Sequence, residues 1–119
     1  MRRTLAVLAL ASFLADGRGA AAHAMLRGSQ PAVGSTVQAA PSRVEISFSE
    51  AVEPRFSTIE VTDATGSSVG QGAATRGSDG KILALGLQRI GPGTYHVVWH
   101  ATSVDTHRTE GSFSFTVAP

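Results

Sequence analysis

The chain has 119 residues, with ten basic, nine acidic and four histidine side chains, a formal net charge of +1 and no cysteine. That is room for one small domain, and the missing thiols exclude a disulfide staple, a thiolate metal site and lipid attachment through sulfur. The charges are scattered, with no basic stripe and no aromatic-interleaved patch, which excludes a nucleic-acid or anionic-membrane binder.

The first 22 residues read as a secretory signal peptide. Met1-Arg2-Arg3 is a short positive start, Thr4 to Ala15 is apolar, and Asp16-Gly17-Arg18-Gly19 breaks the run before Ala20-Ala21-Ala22. Small residues at Ala20 and Ala22 flank an expected cut. The apolar run is shorter than the about 20 residues that span a bilayer, so the expected destination is the periplasm, or the cell exterior in an organism without an outer membrane. Cleavage after Ala22 leaves residues 23–119 as the mature domain, beginning His23-Ala24-Met25-Leu26. Ala22-His23-Ala24 is also small-x-small, and a cut after Ala24 would begin the chain at Met25. The first cut removes Arg2, Arg3, Arg18 and Asp16, which turns the net charge from +1 to −1.

Beyond the leader the pattern is of strands. A short strand around Met25 to Ser29 precedes a Pro31 to Gly34 turn. Arg43 to Ser49 alternates, with Val44, Ile46 and Phe48 on one face, and Glu50 continues that inward parity. Thr58 to Thr62 alternates through Ile59 and Val61, and Asp63-Ala64-Thr65-Gly66 reads as a turn. The Gly-, Ser- and Ala-rich stretch from Gly66 to Gly80 is expected to hold an irregular or weakly paired segment. Ser78-Asp79-Gly80 is a hairpin signal into Lys81 to Leu87. Gly91-Pro92-Gly93 interrupts the chain before Thr94 to Ala101, and Gly111 to Val117 alternates through Phe113, Phe115 and Val117. About seven short strands with turns at this spacing, and no helical period outside the leader, predict one all-β, antiparallel β-sandwich.

Two places could carry chemistry. A terminal His23 offers a metal two nitrogens, the α-amine and the imidazole. Asp105-Thr106-His107, if extended, puts a carboxylate and an imidazole on one face with Cα atoms about 6.6 Å apart. With a terminal His23 alongside, the set becomes three nitrogens and one oxygen, which suits Cu(II); Zn(II) could use the same side chains. Glu50, carried inward, needs a partner: it would hydrogen-bond a metal ligand, approach the ion as a weak ligand or pair with an arginine, unless a bulge at Ser49 turns it outward. His96 and His100 oppose the parity of Tyr95, Val97 and Trp99 and stand about 13 Å apart, so they read as exposed and unable to chelate one ion together. Ser103, Asp105 and His107 hold the letters of a hydrolase triad but crowd one segment, with no Gly-x-Ser-x-Gly elbow.

These blocks resemble the CopC family of exported copper-binding proteins. They are His23-Ala24-Met25-Leu26 with Ser29 to Ser35, Ala40-Pro41 with Val44 to Glu50, Gly93-Thr94-Tyr95 with Trp99, Asp105-Thr106-His107, and Gly111 to Phe115. The resemblance runs through the mature chain in order. It implies a seven-stranded, immunoglobulin-like Greek-key β-sandwich or barrel binding one Cu(II) near its N-terminus. It assigns His23, Asp105 and His107 as ligands, with Glu50 as the acidic residue near the site. It also implies a CopD-like inner-membrane copper transporter as partner. Some members carry a methionine-rich Cu(I) site; here the only methionines are Met1 and Met25, so that ligand set is missing.

The function expected is a copper carrier or buffer in copper homeostasis or resistance, and not an enzyme. Two alternatives stand beside it. A terminal histidine with a second histidine also resembles the brace of copper-dependent polysaccharide oxygenases, but Asp105 in the fourth place would leave no open position for oxygen. A metal-free β-sandwich interaction module explains the strands equally well.

Overall fold

The structure is a computed structural model that describes residues 24–77 and 79–119. The expected leader and His23 lie outside the described residues. Eight strands follow in order: β1 Leu26–Gln30, β2 Thr36–Val37, β3 Arg43–Phe48, β4 Thr58–Thr62, β5 Gly70–Arg76, β6 Ile82–Leu87, β7 Gly93–Thr102 and β8 Arg108–Val117. One 3-10 turn, Pro54–Phe56, stands between β3 and β4.

The alternation that marks the strands also decides what they bury. Val44, Ile46 and Phe48 of β3, Tyr95, Val97 and Trp99 of β7, and Phe113, Phe115 and Val117 of β8 all lie in the core. Their sequence neighbours face outward, as period-2 side chains must. Phe48 meets Trp99 edge to face with centroids 5.1 Å apart, and Tyr95 stacks on Phe115 at 5.5 Å. The first pair joins the two facing sheets, and the second is a cross-strand pair within the β7–β8 sheet; both geometries are favoured for aromatic rings.

The sheets run β1-β3-β6-β5 and β2-β8-β7-β4. Chain neighbours alternate between sheets up to β5, and this non-sequential pairing is the Greek-key connectivity of a sandwich. All pairings are antiparallel except β2 with β8. Among the described residues the strand count is therefore eight rather than seven: β2 is two residues long and carries no period to read. The stretch from Gly66 to Gly80 contains a full edge strand, β5, paired with β6. Its irregularity is a register shift between Gln71 and Thr75, where Gly72 has φ +75°, a conformation that glycine adopts without a Cβ clash.

The topology collects four segments at one end of the sandwich. They are the start of β1, the chain after β3, the β5–β6 turn and the β7–β8 hairpin tip. Phe48 N–H donates to Lys81 O at 2.9 Å, Val52 N–H to Gly80 O at 3.0 Å, and Val52 bridges Ser103.

Candidate metal centre

The β7–β8 hairpin closes over Ser103 to His107. Thr106 N–H donates to Ser103 O at 2.8 Å, and Ser103 N–H donates to His107 O at 2.9 Å. Thr106 has φ +74° and is the one non-glycine residue with positive φ among the described residues. For a β-branched side chain this is a costly conformation. The segment is thus a tight turn, and the extended geometry that would set Asp105 and His107 on one strand face is not the one adopted. The turn nevertheless brings the same two side chains together: His107 Nδ1 lies 3.1 Å from Asp105 Oδ2.

That spacing suits a shared ion as well as a hydrogen bond. Two bonds of about 2.0 Å meeting at about 100° separate their donor atoms by about 3.1 Å. The side chains are 41% and 53% exposed, so an ion can reach them from solvent. Asp105's second oxygen, Oδ1, accepts a hydrogen bond from the Ser103 hydroxyl. The Ser103 hydroxyl holds the Asp105 carboxyl below its ordinary value, with the His107 ring adding to the effect and partial desolvation opposing it. A carboxylate that stays ionised is the form that binds a cation.

The remaining expected residues are placed as follows. β3 ends at Phe48, and Ser49-Glu50 forms a bend, so the strand does not carry Glu50 into the core; the residue is half-buried. On one side of it Ser49 N–H donates to Met25 O at 2.8 Å, and Ser49 Oγ accepts from Met25 N–H at 2.9 Å. On the other side Ala51 O accepts from Val104 N–H at 3.1 Å. Glu50 therefore belongs to the segment that runs between Met25, just before β1, and the Asp105 loop. Ala24 is fully buried, and its carbonyl accepts the Thr109 hydroxyl at 2.6 Å. His23 precedes this anchored residue but lies outside the described residues. Among the described residues no three His, Asp or Glu side chains converge on one point. Asp105 and His107 form a pair.

His96 and His100 are exposed on the outer face of β7, as their parity predicts. His96 Nδ1 lies 2.8 Å from Ser114 Oγ, and His100 Nε2 lies 3.1 Å from Glu110 Oε2.

Sequence reading passed over the support beneath the pair. The buried polar residues among the described ones are Ser57, Thr102 and Ser103, and all three brace this end. Thr102 N–H donates to Ser57 Oγ at 3.0 Å, Thr102 Oγ1 donates to Phe56 O at 2.8 Å, and Ser57 Oγ donates to Glu53 O at 2.7 Å. The available signal was parity: Ser103 continues the inward series Trp99, Ala101, and Thr109 continues that of Gly111 and Phe113. A hydroxyl carried inward must find a partner.

The CopC-domain family model matches residues 26–118. Protein YobA of Escherichia coli strain K12 is 40% identical over 98 residues, covering 81% of this chain and 79% of that one. Copper resistance protein C of Pseudomonas syringae pv. tomato is 34% identical over 124 aligned positions, covering 98% of each chain. Copper transport protein CutJ of Bacillus subtilis is 33% identical over 98 residues, which make up 81% of this chain and 18% of CutJ. The crystal structure of CopC from Methylosinus trichosporium OB3b superposes with a TM-score of 0.76 at 34% identity, covering 82% of this chain and 95% of that one. A family match across nearly all of the described strands, joined to a shared fold, is decisive: the chain belongs to the CopC family.

Proposed function

We propose that the protein is an exported Cu(II) carrier or buffer in copper homeostasis or resistance, binding one ion per chain. The ligands are the amine and imidazole of an N-terminal His23, the Asp105 carboxylate and the His107 imidazole. Glu50 supports the site from the adjoining bend. The observation that carries the reading is the Asp105–His107 pair, with donor atoms 3.1 Å apart, on the hairpin whose next strand holds Ala24 by its carbonyl. Ala24, the residue that follows His23 in sequence, is thereby fixed to the strand that leaves the pair. Copper is the metal favoured by relatives named for copper resistance and copper transport and by a mixed nitrogen–oxygen donor set.

The protein carries the ion and does not transform a substrate. A CopD-like membrane transporter as the recipient is supported by CutJ, a longer protein named for copper transport that contains a stretch matching this chain. The reading is tested by competitive Cu(II) titration of residues 23–119 beginning at His23, beside the same protein with one extra N-terminal residue. The expected result is tight binding of one equivalent that the added residue abolishes or greatly weakens. Equal binding by both forms would remove the terminal amine from the site.

A further inference from the structure

Asp105 has two carboxylate oxygens, and the fold treats them differently. Oδ2 faces His107 Nδ1, while Oδ1 accepts the hydroxyl of Ser103. Ser103 is 1% exposed, which is unusual for a serine on a hairpin turn and needs a physical reason. Its position is fixed from three directions. Its N–H donates to His107 O at 2.9 Å, its neighbour Val52 bridges it from the chain after β3, and its O accepts from Thr106 N–H at 2.8 Å. The hydroxyl also lies 3.2 Å from His107 O. One immobilised side chain therefore contacts both residues of the pair, the carboxylate of one and the backbone of the other.

We propose that Ser103 is a positioning residue for Cu(II), holding the Asp105 carboxylate by Oδ1 so that Oδ2 alone is presented beside the His107 ring. The inference rests on the Cu(II) reading above. A half-exposed carboxylate on a hairpin tip otherwise turns about its χ2 bond at little cost, since that torsion is broad. Rotation would present either oxygen, or both, and would reduce the time the donor pair spends at chelating separation. Groups that orient a metal ligand from behind are typically worth about ten- to a hundredfold in metal affinity. Ser103 acts through Asp105, and that dependence separates it from a residue that merely packs the turn.

The experiment is Cu(II) competition and electron paramagnetic resonance on the exported, processed protein, with its first residue verified by mass analysis. The variants are Ser103→Ala, Ser103→Thr, Asp105→Ala and the double variant S103A/D105A, each also checked for apo-protein thermal unfolding. The expected result is about tenfold or greater weakening in S103A, with altered copper hyperfine splitting. S103T, which keeps the hydroxyl, holds the wild-type affinity and spectrum. In the D105A background S103A has no further effect, because the group through which it acts is gone. Equal weakening by S103A and S103T overturns the proposal, since a packing role is disturbed by either. So does an S103A effect of the same size with and without Asp105. Unchanged binding in S103A while D105A binds weakly overturns Ser103's role alone, whereas wild-type binding in D105A overturns the Cu(II) assignment beneath it.

Discussion

The hydroxyl of Thr109 on β8 donates to the carbonyl of Ala24 across 2.6 Å, joining positions 85 residues apart. This bond ties the start of the described chain to the strand that leaves the Asp105–His107 turn. Valine at position 109 keeps the shape of the side chain and removes the donor, leaving the carbonyl of a buried residue unpaired. Thr109→Val is expected to cost about 1 kcal/mol in urea denaturation and to weaken Cu(II) binding as the N-terminal segment loses its anchor. Unchanged Cu(II) affinity would mean that the Met25–Ser49 pairing holds the segment by itself.

Gly111 lies against the indole of Trp99, its cross-strand partner. A Cβ built there stands 2.6 Å from Cζ2, 2.8 Å from Cε2 and 3.0 Å from Nε1 of the ring. The ring cannot withdraw freely, because it is buried and meets Phe48 edge to face. Gly111→Ala is expected to destabilise the fold by about 1–3 kcal/mol, the usual cost of overpacking a filled core. Wild-type stability on chemical denaturation would show that Trp99 has an alternative rotamer.

The core was legible because period-2 alternation and burial share one cause. Every apolar residue read as inward on the strands at 43–48, 94–101 and 111–117 is buried there. β2 was not legible: two residues in parallel pairing with β8 leave no pattern. The candidate site was legible in its residue types and not in its geometry. Asp105 and His107 converge through a left-handed Thr106, and single-residue turn geometry is invisible to a two-letter spacing rule. Glu50 shows the same limit, since parity carried it inward past the point where the strand ends. Ser103 and Thr109 were readable by the reasoning applied to Glu50, as polar residues on inward parity.

Two carboxyls, Asp63 and Asp105, are held below the ordinary value of 3.8 in the folded protein. For Asp63 the chief cause is the Thr65 hydroxyl, followed by the Ser67 N–H. A group with a lowered folded value stabilises the protein above its unfolded value, and that contribution is lost as pH falls through the folded value. Unfolding free energy is therefore expected to decline below about pH 4 in proportion to these shifts. Asp63→Asn, which keeps an oxygen acceptor but cannot titrate, should flatten the decline. An acid limb as steep as that of the wild type would assign it to other carboxyls.

Thr106 keeps a conformation that a β-branched residue adopts at a cost of about 1–3 kcal/mol, and it does so between two candidate metal ligands. Glycine reaches φ +74° without a Cβ clash, though its greater freedom in the unfolded chain offsets part of the relief. Thr106→Gly is thus expected to raise apo-protein stability by about 0.5–1 kcal/mol, measured by thermal and urea unfolding. The same change loosens the turn that sets the Asp105–His107 separation, so Cu(II) affinity should fall while stability rises. Opposite movement of the two quantities would mark Thr106 as strain retained for ligand geometry, a known trade between stability and function. Parallel gains in both would show that the turn reaches its chelating shape without the threonine.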